Sequence, residues 1–129
     1  MVTQEKTDHA KEQARAQLES IVEMVQALEK GEEIDGQDPQ DRIQEDPLSV
    51  QVRSGWQNPG DGMMAAEYEL LLCTGGPACR IVGDLDQYQQ PETANLEYQD
   101  WFTPWVRYQT TLEENDAMLA YARQFYFGS

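Results

Sequence analysis

Between residues 3 and 30 the apolar side chains keep a period near 3.6. Leu18, Ile21, Val22, Val25 and Leu28 fall at i, i+3, i+4, i+7 and i+10, and Ala10 and Ala14 continue the stripe backwards. Glu5, Asp8, Glu12, Glu19 and Glu23 lie mainly off it, as on the solvated face of an amphipathic helix. Gly31 supplies the stop. The pattern predicts one long helix over residues 1–31 that packs its stripe on a sheet. A dimerising coiled coil would need more heptads than this stretch holds. Asp38-Pro39, an N-cap followed by proline at the first helical position, predicts a short helix to about Glu45, which Pro47 closes.

After Pro47 the period falls to two. Val50 and Val52 alternate with Gln51 and Arg53 and lead to Trp56, and residues 57–62 read as a loop from their Pro and Gly content. Residues 68–73 and 79–85 form a hairpin across a five-residue, Gly-rich connection, and residues 95–101 alternate as a fourth strand. Pro104 limits further pairing or confines it to an edge. Thr110 and Thr111 stand three residues before Glu113 and Glu114, two overlapping capping boxes. Met118, Tyr121, Ala122, Phe125 and Tyr126 then trace one face of a final helix. The expectation is an α+β fold: a four-stranded antiparallel sheet with a long N-terminal helix and a C-terminal helix packed on one face. It forms a single domain over residues 1–129, divided into helix (1–31), acidic connector (32–47), sheet (48–109) and C-terminal helix (110–129).

Composition alters this picture through charge. Twenty-four carboxylates against nine cations leave a net charge of −15 on 129 residues, while 40% of the residues are hydrophobic. The apolar content suits a chain that buries a core, so the charge decorates a folded body rather than a disordered one. A polyanionic surface repels nucleic acid and attracts proteins that normally bind it. The densest acidic run lies between Glu29 and Asp46. The longest apolar runs fall short of a membrane span, and the first residues lack the apolar segment of a signal peptide, so a cytoplasmic location is expected.

Candidate chemistry is sparse. The loop from Cys73 to Arg80 puts six residues between thiol and guanidinium, one too many for a phosphate-binding nucleophile loop, and a strand follows where an anion-binding helix would be needed. It reads as a hairpin turn with two reduced thiols, one of them buried. His9 is the single histidine and has no partner at ligand spacing, and residues 38–45 lack the alternation and central Gly of a calcium loop. One terminal histidine supports no nucleophilic triad. No enzyme activity, metal or cofactor is expected. The aromatic cluster from Tyr98 to Tyr108 is accompanied by Glu97 and Asp100 with Arg107 as its one cation, unlike a nucleic-acid platform. Packing explains Trp101 best, and Trp105 beside Pro104 is the candidate exposed hot spot.

Four stretches in order, residues 45–56, 70–81, 96–105 and 121–128, resemble a family of small acidic proteins carried by bacteriophages, prophages and other mobile elements. The resemblance spans most of residues 45–128 and matches the N-terminal helix loosely. In that family the position of Cys79 is often aliphatic and that of Phe102 often glycine, so a pairing of Cys73 with Cys79 is not implied. The mobile-element setting implies an inhibitor of host defence, such as a CRISPR effector or restriction enzyme, acting by covering a Lys/Arg surface.

The reading taken together is an anti-CRISPR-like inhibitor in the bacterial cytoplasm. It binds the basic surface of a nucleic-acid-binding complex by DNA mimicry, with no direct contact to nucleic acid or membrane. The alternative is a phage accessory or assembly protein that acts by oligomerisation, and a homodimer is left open. The expected partner-binding residues are Glu32, Glu33, Asp35, Asp38, Asp41, Glu45, Asp46, Trp56, Asp100 and Trp105. The acidic ones supply long-range attraction and the aromatics short-range contact.

Overall fold

The computed structural model describes residues 2–60, 62, 64–75, 77–100 and 103–127, with the side chains of residues 2–8 left aside. Three helices and five strands follow in the order α1 (Val2–Lys30), α2 (Pro39–Glu45), β1 (Ser49–Ser54), β2 (Ala65–Cys73), β3 (Ala78–Asp84), β4 (Asn95–Gln99), β5 (Val106–Arg107) and α3 (Leu112–Ala122). The strands form one antiparallel meander in chain order. The expected α+β layering holds, with one strand more than the alternation indicated. Pro104 sits in the turn before β5 rather than in it, so its missing N–H costs the ladder no bond. Glu97 pairs with Arg107 and Tyr98 with Val106.

The helix stripe does what its period implies. Ala10, Ala14, Leu18, Ile21, Met24 and Val25 are buried, while Val22 and Leu28 pack at the margin of the core. Small residues at 10 and 14 let the helix lie close to its neighbours, which are α2, α3, β3 and β4. Gly31 adopts a φ of 68°, and the amide of Glu32 reaches back to the carbonyl of Ala27 at 2.9 Å. That left-handed turn ends α1. Asp35 and Gly36, both at positive φ, then form a two-residue turn in which Ile34 and Gln37 exchange backbone hydrogen bonds of 2.9 Å. The expected cap of α2 is present: the Asp38 carboxylate accepts from the amide of Gln40 at 2.9 Å, with Pro39 in the first turn.

The sheet turns Tyr68, Leu70, Leu72, Cys79, Ile81, Leu96 and Tyr98 toward the helices. Its other face stays open to water. The β3–β4 loop closes one end of the core, where Leu85, Pro91 and Ala94 are buried and the Tyr68 hydroxyl donates to the carbonyl of Thr93 at 2.7 Å. Gly83 is fixed by this closure. A Cβ there would stand 2.0 Å from the Thr93 carbonyl oxygen and 2.9 Å from the Tyr68 ring.

α3 begins on a capping box. The Thr111 hydroxyl accepts from the Glu114 amide at 3.2 Å, and the Glu114 carboxylate accepts from the Thr111 amide at 2.9 Å. Of the two boxes readable in the chain, the one starting at Thr111 forms. The amide of Thr111 and then the guanidinium of Arg15 hold the Glu114 carboxyl below its ordinary value of 4.5. Met118, Tyr121 and Ala122 face the core as expected, but the helix stops at Ala122. Phe125 therefore packs from beyond the helix, and Tyr126 is exposed rather than in register with the stripe.

Two outcomes follow from this packing. Gly83→Ala is expected to cost about 1–3 kcal/mol, because the obstructing atoms are backbone and cannot swing aside. Thermal unfolding measures it, and an unchanged midpoint contradicts the close approach. A carboxylate held below its ordinary pKa stabilises the fold above that range, and its contribution disappears as pH falls through the lowered value. The stability lost in Glu114→Gln near pH 7 is thus expected to shrink as pH falls below about 4.5 and to vanish once the carboxyl is protonated in the folded chain as well. A loss constant across that range in denaturant unfolding would rule out the charged contribution.

Candidate functional site: a divided charge distribution

The two sides of the sheet carry different electrostatics. On the open side, arginines on β1, β3 and β5 stand among carboxylates of neighbouring strands, although Glu67 on β2 also lies directly across from Asp84 on β3. Arg53 on β1 lies across from Glu67 on β2 and is ion-paired to it. Arg80 on β3 reaches Glu69 on β2 at 2.6 Å and Glu97 on β4 at 2.8 Å. Glu97 in turn faces Arg107 on β5. The guanidinium of Arg80 also lies 4.1 Å from the centre of the Trp105 ring, a cation–π contact. These residues line a shallow hollow of about 510 Å³ together with Asp84, Thr93 and Asn95. Each arginine there is balanced by a carboxylate, so the face is close to neutral.

Four of the 24 carboxylates and three of the nine cations line this hollow, leaving twenty and six for the rest of the chain. Nearly all the surplus negative charge therefore lies off the open face. Besides the connector, part of it gathers in a second hollow, also about 510 Å³, between α1 and α3. Glu19, Glu23 and Glu29 enter from α1, and Glu113, Glu114 and Asp116 from α3. Arg15 is the one cation among its lining residues, tied to Glu114 at 2.7 Å and to Glu19 at 3.1 Å. Val22, Val25 and Ala117 contribute apolar surface between the carboxylates. Glu29 links this hollow to the acidic connector that follows α1 in the chain.

The residues expected from the sequence separate into three groups. Glu32, Glu33, Asp35, Asp38, Asp41 and Glu45 are exposed on the connector and α2, where Asp38 also caps the helix and Glu45 accepts from the Gln37 side chain at 3.0 Å. Asp46 and Asp100 depart from the expectation of a free surface. Asp46 is largely covered: it accepts from the Tyr121 hydroxyl at 2.7 Å and from Arg42 at 3.2 Å, joining the end of α2 to α3. Burial, with the Asp46 charge adding to it, pushes the Tyr121 phenol well up. Asp100 is 9% exposed in a turn where its amide donates to the Thr103 hydroxyl and its carbonyl accepts in return.

The aromatics divide as well. Trp105 is half-buried against Arg80 instead of projecting freely. Trp56 is fully exposed, in a loop whose neighbours include Arg53 and Glu67 and none of the connector acids. Trp101 lies outside the described residues. Sequence reasoning passed over the α1–α3 hollow because Glu19 and Glu23 looked like an ordinary solvated face. Their off-stripe position was visible, but their neighbours from the first turn of α3 come from 90 residues downstream.

Cys73 and Cys79 stand opposite each other at the end of the β2–β3 hairpin as free thiols, Cys79 buried and Cys73 half-buried. Hydrogen bonding from Cys79 draws the Cys73 thiol down to about 7, and the same contact with burial pushes Cys79 up. Among the described residues no group of three His, Cys, Asp or Glu side chains converges as a metal site would require. No described helix is long and apolar enough to cross a membrane. Compared with known proteins, the chain matches no family model, no curated protein and no solved structure.

Proposed function

We propose that this chain is a protein-binding inhibitor that occupies a basic, nucleic-acid-binding surface of another protein. The observation that supports this reading is the division of charge. An acidic chain whose carboxylates served only to keep it dispersed would have no reason to gather most of its surplus on the helices and their connector. Here the cross-strand pairs on the open face neutralise one another, and the helical flank holds six carboxylates against one arginine in a single hollow. Fields from such clustered charge focus at concave surfaces and accelerate encounter with cationic partners. The exposed connector acids Glu32, Glu33, Asp35 and Asp41 extend the same field beyond α1.

The class of target follows from the resemblance of residues 45–128 to small acidic proteins of mobile elements. A host-defence complex that holds DNA or guide RNA on Lys/Arg residues is the partner of choice, with CRISPR effectors first. Mimicry in this setting means that fixed carboxylates replace phosphates at the partner's cations. The contact is electrostatic, so it weakens as salt screens it.

Association with a purified CRISPR effector is expected to be strong at low salt and to compete with the effector's DNA. Between about 0.1 M and about 1 M salt the screening length falls from ~10 Å to ~3 Å, and the affinity is expected to fall by ~100-fold or more. Neutralising Glu19, Glu23, Glu113 and Asp116 together, as Gln or Asn, is expected to flatten that salt dependence. Interferometry measures both. Affinity that stays level across the salt series, or a neutralised variant that binds like the parent, overturns the electrostatic reading.

A further inference from the structure

The sheet has two edges, and they are built differently. β5 is two residues long and preceded by Pro104, which blunts it. β1 spans six residues, is hydrogen-bonded on one side to β2, and contains no proline and no carboxylate. Val50 and Val52 lie opposite Leu70 and Tyr68, on the side of the sheet that the helices cover elsewhere. Yet both valines are exposed, at 42% and 48%, and Leu48 beside them is 60% exposed. The helix layer therefore stops short of β1 and leaves an apolar strip along a free backbone edge. The single charge on the strand, Arg53, is drawn across to Glu67 on β2, away from that edge. Natural edges are protected by shortness, proline, outward charge or bulges. In β1 the one such device is the register shift between Arg53 and Ser54 at its far end, and Ser49–Arg53 runs in regular register with β2.

We infer that β1 is the contact surface for a second copy of this chain, joined edge to edge in an antiparallel, two-fold arrangement. Charge selects this occupant. A body with a net charge of −15 repels its own copy over most of its surface, and the exposed segment from Pro47 to Gly60 holds fourteen residues without one carboxylate. Two copies can approach there with little repulsion, whereas a cationic protein is drawn instead to the helical flank. The strand is also self-complementary. A two-fold axis at Gln51 sets Val50 against Val52 of the second copy, and Arg53 against its Ser49. Apolar groups meet apolar groups, no like charges are opposed, and the two sheets become one of ten strands. This differs from association through the helix stripe, most of whose residues are buried within the monomer.

Sedimentation velocity over a concentration series distinguishes the possibilities, and the sign of its salt dependence separates this inference from the proposed function. Screening removes the repulsion between copies, so dimerisation is expected to strengthen from about 0.1 M to about 1 M salt, where binding to a basic partner weakens. Val50→Lys combined with Val52→Lys is expected to weaken the dimer by about tenfold or more. Val106→Lys on the opposite edge is expected to leave it unchanged. All three positions are exposed, and thermal unfolding of each variant verifies that the monomer is intact. A chain that stays monomeric at every concentration and salt level overturns the inference and leaves the edge to a strand from another protein. A dimer indifferent to the β1 lysines overturns it equally.

Discussion

Two helices can cover only one side of a five-stranded sheet, and the rest of the molecule is organised around that constraint. The covered side is apolar and lies under α1, on which α3 packs in turn. The open side must be stable in water without a second layer. It achieves this with opposite charges on adjacent strands, centred on Arg80, which holds Glu69 and Glu97 while stacking on Trp105. The three side chains of that ion-paired group are each under a third exposed, so their attraction is screened less than that of a surface pair. Arg80 thereby bridges three strands with one side chain.

The electrostatic character of the surface follows from this use of arginine. Cations are scarce in the chain, and one third of them stand on the open sheet face. What remains for α1, α2 and α3 is far too little to balance their carboxylates, so the helical flank becomes the anionic pole. A sequence-wide net charge of −15 is thus better described as a nearly neutral sheet joined to a strongly acidic helical layer. The β1 edge belongs to neither. It is apolar, uncovered and free of carboxylates, which is why it is read as a surface between copies rather than as a continuation of the acidic flank.

The elements carried by periodicity were legible in the residues. The α1 stripe, its stop at Gly31, the Asp38 cap and the β2–β3 hairpin all stand where pattern and turn chemistry indicated. β5 was not legible, since two residues are too few to show an alternation. The roles of individual acids were harder to read. Asp46 sits in a run of exposed carboxylates, and only the packing of Tyr121, 75 residues away, turns it inward. Trp105 resembled a free anchor until the register of β3 with β4 brought Arg80 beneath it. In each case the deciding neighbour is distant in the chain, and local pattern carries no record of it.

The central claim is that cation-binding capacity lies on the helices and is absent from the open sheet face. Amide chemical-shift mapping during titration with an arginine-rich peptide tests this most directly. The account predicts that shifts concentrate in the outer turns of α1 from Glu19 to Glu29, in the acidic connector, and in the first turn of α3. The outward residues of β2, β3 and β4 stay unmoved. Shifts centred on Glu67, Glu69 and Glu97, or spread evenly over both faces, would contradict it.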